Sequence, residues 1–227
     1  MTRFFMTFEG GEGSGKTTQI ARLSDHLRSE GHDVVTTREP GGSPGADALR
    51  HVILSGAAEG LGVEVEAMLF AAARADHVDT LIRPALDAGK IVLCDRFHDS
   101  TRVYQFLDSD LDQDYRDAME RAALGDLLPN LTIILDVPAS VGVERARQRR
   151  ADHSPDRFEK EDEALHELRR QAFRKLAEDE PERCVIVDGT QAEDKVAAEI
   201  RDIVDDRLGA ARFEAIGQSL GAGQAAR

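Results

Sequence analysis

The sequence predicts an α/β fold, a five-stranded parallel sheet flanked by helices. Two observations carry that reading. Five short apolar β-type runs recur along the 227 residues, at Phe4–Phe8, Val34–Thr36, Ile91–Cys94, Thr132–Val137 and Cys184–Val187. They are continuous rather than alternating, as expected of parallel strands covered on both faces, and the segments between them have helical period.

The first run is followed by an amphipathic stretch in which Ile20, Leu23 and Leu27 form one stripe, with Gly31 placed to end the helix. A second stripe, Met68, Ala72, Ala75, Ile82 and Leu86, precedes Gly89 and predicts one long helix before the third strand. The segment from Glu144 to Lys160 is dense in arginine, contains Ser154-Pro155, and reads as a lid loop between helices. The chain is expected to form a single domain over residues 1–207. The Ala/Gly-rich stretch 208–227 reads as either a frayed helix or a disordered tail.

Composition narrows the function. No apolar run approaches the roughly 20 residues that span a bilayer, and the first residues make a poor signal peptide, so a cytoplasmic protein is expected. Cys94 and Cys184 lie in strand-like runs and are expected as buried thiols, and no Cys/His cluster has zinc spacing. A net charge of −14 argues against a broad nucleic-acid surface. A small phosphate ligand needs only a local cluster of cations.

Such a cluster has a phosphate loop to work with. Gly10-Gly11-Glu12-Gly13-Ser14-Gly15-Lys16-Thr17 fits G-x-x-x-x-G-K-[ST] between a strand and a helix. Glycines let successive backbone N–H groups turn inward around phosphate oxygens, and the helix N-terminus adds partial positive charge. Lys16 is placed to reach the β- and γ-phosphates and Thr17 to ligate Mg²⁺. The fold is thus of the P-loop nucleoside-triphosphate-binding kind, and the loop alone says nothing of the acceptor.

Two P-loop classes are disfavoured. A guanine-specific switch carries N-K-x-D, but the only asparagine, Asn130, is followed by Leu131. A motor's acidic pair is missing at Leu135-Asp136-Val137-Pro138. A small kinase remains, and it needs cations on both sides of the transferred phosphoryl. Arg38 after the second strand, Asp95-Arg96 after the third, and Arg145, Arg147, Arg149, Arg150 and Arg157 in the lid can supply them. The bland alternatives pair Arg38 with Glu39, make Asp95-Arg96 a surface ion pair, and leave the lid arginines on a solvated helix face.

The stretches FEGGEGSGKTTQ, TREPGG, FAAARADH, DRFHDSTRVYQ and RARQRR…DRFE, in that order over roughly residues 3 to 205, closely resemble the thymidylate kinase family. The resemblance implies phosphoryl transfer from ATP to dTMP and a homodimer. It implies an ATP site of Gly10, Gly11, Glu12, Gly13, Ser14, Gly15, Lys16, Thr17 and Thr18. Phe70 would stack on thymine and Arg74 would hydrogen-bond the base, which positions i and i+4 of one helix face permit. Ser100 or Thr101, together with Gln105, would meet the base edge, and Tyr104 would pack under the deoxyribose. Arg38 and Arg96 would hold the acceptor phosphate, Asp95 and Thr17 would lie by the metal, and Glu12 would face the 3′-hydroxyl. With no cation among positions 11 to 14, the chain is similar to the lid-arginine type usual in bacteria, and Arg149 and Arg157 are assigned to the transferred phosphoryl. It departs from the family pattern at Phe106-Leu107-Asp108-Ser109-Asp110, where relatives carry glycines, and in a slightly longer lid. The rivals are a kinase of another acceptor and a nucleotide-binding protein without turnover.

Overall fold

The computed structural model describes residues 3–107, 109–149, 158 and 161–225; of residues 149 and 212–225 only the backbone is described. Five parallel strands form one sheet in the order β2-β3-β1-β4-β5: β1 (Phe4–Glu9), β2 (Val34–Arg38), β3 (Ile91–Asp95), β4 (Leu131–Asp136) and β5 (Cys184–Asp188). Each contains the core of an apolar run read from the sequence. The expected α/β sheet is what the chain builds.

β1 is central and wholly buried. Its pleat sends Phe4, Met6 and Phe8 to one face, where they meet Leu23 and Leu27 of α1 (Lys16–Ser29) and Ile200 and Val204 of α9 (Glu193–Ala225). Phe5 points to the other face, against Val78, Ile82, Leu86 and Phe97. A third cluster of Val103, Ile134, Phe173 and Cys184 lies beneath α8 (Glu163–Asp179). At roughly 2 kcal/mol per fully buried large apolar side chain, these clusters carry most of the driving force. Both cysteines are buried free thiols.

The chain passes from β1 out to the edge at β2, returns through β3 beside β1, and then crosses to β4 on the other side. Strand order therefore reverses around β1. The crevice at the carboxyl ends of β1 and β3 is the place where open α/β sheets bind ligands.

Two sequence readings are corrected here. The expected helix over 68–89 is broken into α3 (Val63–His77), a π turn over Val78–Ile82 and α4 (Arg83–Asp87). The wider turn inserts a residue and rotates the buried face. Ile82 and Leu86 are buried as expected, but Met68 is 47% exposed and Ala72 faces outward. The first part of the expected lid loop is helical, because α7 runs from Ala139 to Arg149. The Ala/Gly-rich stretch continues α9 as far as Ala225. The remaining α-helices among the described residues are α2 (Pro44–Leu54), α5 (His98–Tyr104) and α6 (Gln113–Leu124), and a 3₁₀ turn spans Glu59–Leu61. No helix among the described residues is long and apolar enough to cross a membrane.

Candidate active site

β1 delivers the chain into the phosphate loop at Gly10, and α1 begins at Lys16, so the loop amides and the helix N-terminus converge. Lys16 Nζ curls over the loop and donates to the carbonyls of Gly10 (3.1 Å) and Gly11 (2.9 Å) and to Ser14 Oγ (3.4 Å). Burial lowers its pKa and so does Arg96 nearby, against the opposing pull of Asp95, Glu12 and Glu9. The loop presses on α7 so closely that a methyl carbon at Gly142 would collide with the Glu12 carbonyl, and one at Gly13 with the Gly142 carbonyl.

β3 ends in Asp95, whose Oδ2 accepts from Thr17 Oγ1 at 2.8 Å. The next residue, Arg96, has φ 67°, a left-handed conformation unusual for a non-glycine residue. The turn is fixed from several sides. Arg96 N–H donates to Phe8 O (2.9 Å), Phe97 N–H to Glu9 Oε1 (2.8 Å) and Ser100 Oγ to Glu9 Oε2 (2.7 Å). The strain is thereby turned to use, because the Arg96 guanidinium swings back to Gly10 O (3.1 Å), Ser100 Oγ (3.2 Å) and Glu12 Oε1 (2.5 Å). Burial works to raise the Glu12 pKa, but Arg96 and Lys16 outweigh it and hold the carboxyl at about 2. Glu9 is fully buried, and burial together with Asp99 pushes it up to about 7 against Arg96.

The turn after β2 is built around Glu39. Its carboxylate accepts from Arg74 Nε (2.7 Å) and pairs with His77 Nδ1 (3.0 Å), while His77 Nε2 meets Thr37 Oγ1 at 2.7 Å. The Nδ1-protonated tautomer satisfies both histidine contacts. The Glu39–Pro40 bond is cis. Arg38 extends over the crevice and pairs with Asp47 at 3.8 Å rather than with Glu39.

These segments enclose a cleft of about 240 Å³. A cation-rich floor at one end and an aromatic slot at the other, with Phe70 and Phe158 rings 6.2 Å apart and Tyr104 and Phe158 5.7 Å apart, make a cavity for a phosphorylated planar ring.

The thymidylate kinase family model matches residues 8–200, the stretch that contains β2 to β5 and every described wall of this cleft. The chain belongs to the thymidylate kinase family. It is 55% identical to a thymidylate kinase of Bradyrhizobium sp. strain BTAi1 and 54% to that of strain ORS 278, each over 204 residues and 90% of both chains. The crystal structure of thymidylate kinase from Ehrlichia chaffeensis is 31% identical, with a TM-score of 0.69 over 89% of this chain and 98% of that one.

In this thymidylate kinase family member most of the expected site residues share one cleft. Glu12, Gly13, Ser14, Gly15, Lys16, Thr17, Arg38, Phe70, Asp95, Arg96, Ser100, Tyr104 and Gln105 all line it. Gly10 and Gly11 face it indirectly, as acceptors for Lys16, and Thr18 lies exposed on α1 outside the lining. Arg74, expected to hydrogen-bond the base, does not line the cleft itself. It is 4% exposed and sits behind the wall, its Nε on Glu39 and its terminal nitrogens on Thr101 Oγ1 (3.0 Å) and Phe97 O (3.1 Å). Thr101 is turned to Arg74 and is likewise outside the lining, so of the pair Ser100 and Thr101 it is Ser100 that faces the cleft. Arg145 donates to Gly189 O at 2.9 Å instead of facing the cleft. Arg150 and Arg157 lie outside the described residues, as does the side chain of Arg149.

Sequence reasoning missed Glu39, Pro40, Arg50, Leu54 and Phe158 in the lining. It also missed Arg169, which stacks on Tyr104 with its guanidinium carbon 4.2 Å from the ring centroid and pairs with Glu161. Arg96 covers the same ring at 5.0 Å. Two residues of the departing stretch, Phe106 and Ser109, are anchored. Phe106 is buried under the Arg116 guanidinium, which also donates to Ser109 O at 2.7 Å.

Proposed function

We propose that this chain transfers the γ-phosphoryl group of ATP to dTMP, giving ADP and the dTDP needed for dTTP synthesis. The observation that carries the reading is one cleft holding Lys16, Arg38 and Arg96 at one end and Phe70 at the other. The donor's β- and γ-phosphates lie in the loop amides under Lys16, which exchanges its loop carbonyls for phosphate oxygens. The acceptor's phosphate lies against Arg38 and Arg96, and its ring against Phe70, with Tyr104 beneath the sugar, Ser100 and Gln105 at the base edge and Glu12 toward the 3′-hydroxyl.

Thr17 and Asp95, hydrogen-bonded to each other beside the phosphate loop, are hard oxygen donors that would hold Mg²⁺. No cluster of three or more His, Cys, Asp or Glu side chains suited to a metal occurs among the described residues. When bound, Mg²⁺ would neutralise charge on the phosphates. An oxygen of the acceptor phosphate attacks the γ-phosphorus in line, and the bond to the β,γ-bridging oxygen breaks with its electrons leaving on ADP. That nucleophile is already ionised at neutral pH, so neither a general base nor a covalent enzyme intermediate is needed. Catalysis is positioning and charge neutralisation. Arg149 and Arg157 complete the cation shell from the lid.

The enzyme works in the cytoplasm, without nucleic-acid or membrane partners, as a homodimer through the outer faces of α2 and α3, where Val52, Val63 and Met68 are exposed. Sedimentation equilibrium of a dimer supports that assembly, and a monomer at micromolar concentration removes it. The activity itself is tested by coupled ADP release with ATP, Mg²⁺ and a panel of dTMP, dUMP, UMP, CMP, AMP and GMP. Strong preference for dTMP supports the proposal. Preference for another monophosphate overturns the acceptor, and ATP binding without turnover overturns the kinase.

A further inference from the structure

Gln105 caps the end of α5 and lines the cleft, while Glu66 lies on α3 one turn before Phe70, behind the aromatic slot. The two side chains are 2% and 4% exposed, and Gln105 Nε2 donates to Glu66 Oε1 at 2.8 Å. An amide can present either of its ends, but a carboxylate only accepts. Glu66 therefore fixes which end of the Gln105 amide is turned inward. The nitrogen is drawn to Glu66, and the carbonyl Oε1 becomes the group offered to the cleft.

We propose that Glu66 is a positioning residue for base specificity: it holds Gln105 as a hydrogen-bond acceptor, so that the cleft takes a 2,4-dioxopyrimidine and rejects a 4-aminopyrimidine. This rests on the reading that Gln105 meets the base of the acceptor. A thymine or uracil ring carries N3–H, which donates to a carbonyl. Cytosine has a bare N3 lone pair there, which faces the carbonyl without a proton between them. A buried polar group left unpaired in this way is what gives hydrogen-bonding sites their large discrimination. Phe70 stacking cannot supply it, because both rings have the same aromatic face.

The test is steady-state kinetics of wild type, Glu66→Gln and Glu66→Leu with dTMP and dCMP at saturating ATP, together with KM for ATP and thermal melting. Glutamine at 66 can accept or donate, and leucine can do neither, so both release the Gln105 amide. The ratio of kcat/KM for dTMP over dCMP is expected to narrow by about 10-fold or more in both variants, through KM for the monophosphate. KM for ATP is expected to stay within about 2-fold, since a 2-fold change is only a few tenths of a kcal/mol. An unchanged ratio in a variant that melts like wild type overturns the proposal, and Glu66→Gln decides it alone if Glu66→Leu does not fold. A wild-type enzyme without preference for dTMP overturns instead the acceptor assignment on which it rests.

Discussion

The guanidinium of Arg96 and the carboxylate of Glu12 meet at 2.5 Å, tying the turn after β3 to the phosphate loop after β1. Under the proposed reading Arg96 holds the acceptor phosphate while Glu12 belongs to the loop that cradles the donor, so this contact would help to set the distance between the two phosphate sites. Arg96→Ala is expected to lower kcat by roughly 10³-fold, the upper end for one transition-state donor. Arg96→Lys keeps the charge but loses the fork, and should recover only part of that. Turnover and far-ultraviolet circular dichroism together check this, and a folded Arg96→Ala enzyme with near-wild-type kcat would remove Arg96 from the reaction.

The same contact has a pH signature. Glu12 is held at about 2, below its ordinary 4.5, so its contribution to stability is complete above pH 4.5 and is lost as pH falls toward 2. In Arg96→Ala the largest charge partner is gone, and the difference in melting temperature from wild type should shrink as the pH is lowered through that window. A difference that stays constant from pH 6 to 3 would contradict it.

Lys16 is a cation buried on carbonyl acceptors, and its desolvation lowers its pKa. Lys16→Ala is expected to lose at least about 10³-fold in turnover, a cost of the size seen for removal of key transition-state cations. Its melting temperature should fall little or not at all, because the substitution also removes a desolvated charge. The thermal shift that ATP confers on wild type should largely disappear. A preserved ATP shift would mean that the loop amides alone hold the donor.

Glu9 behaves in the opposite sense. Its folded-state pKa of about 7 lies above the ordinary 4.5, so the folded protein holds that proton more tightly than the unfolded chain does. Stability from this group is complete below pH 4.5 and declines as pH rises to about 7. Glu9→Gln cannot titrate and can still reach Phe97 N–H and Ser100. Its melting temperature should gain on wild type by a few degrees between pH 4.5 and 7.5, as a shift worth a kcal/mol or more implies. A flat difference across that range would show that Glu9 is ionised throughout.

Gly142 lies in the first turn of α7 with its backbone against Glu12 O. Gly142→Ala must push the phosphate loop aside, and overpacking of this kind costs about 1–3 kcal/mol. KM for ATP is expected to rise about 10-fold, equivalent to about 1.4 kcal/mol, with a smaller change in KM for dTMP. Equal effects on both substrates would mean that the helix, and not the loop, gives way.

The strands were legible because residues such as Phe4, Leu93 and Ile133 sit in uninterrupted apolar runs that only a doubly covered sheet requires. Lys16 and Thr17 were legible because a phosphate loop leaves a local pattern with fixed spacing. Phe158 was not: it stands in an arginine-rich stretch that reads as solvated, and only the fold carries it to Tyr104. Arg169 looked like one more charge on α8, since nothing local marks a guanidinium that will stack on a ring more than sixty positions earlier. Arg74 was read as a donor to the base, and nothing local in the sequence shows that Glu39 and Thr101 would take its guanidinium nitrogens behind the lining. The π turn at 78–82 has no proline or glycine to announce it, and it misaligned the apolar stripe on either side.

α3 turns Glu66, Phe70, Arg74 and His77 inward and leaves Val63, Met68 and Ala72 outward, the reverse of an ordinary amphipathic helix. The inner row is therefore answerable to a nucleotide and the outer row only to what lies outside the subunit. Substitutions at positions 63, 68 and 72 are thus expected to register in the assembly of the proposed homodimer before they register in the fit of a substrate. An inhibitor that presses on Phe70 meets a helix face that cannot change so freely, because its neighbours in that row, Glu66, Arg74 and His77, are tied to Gln105, to Glu39 and Thr101, and to Glu39 and Thr37.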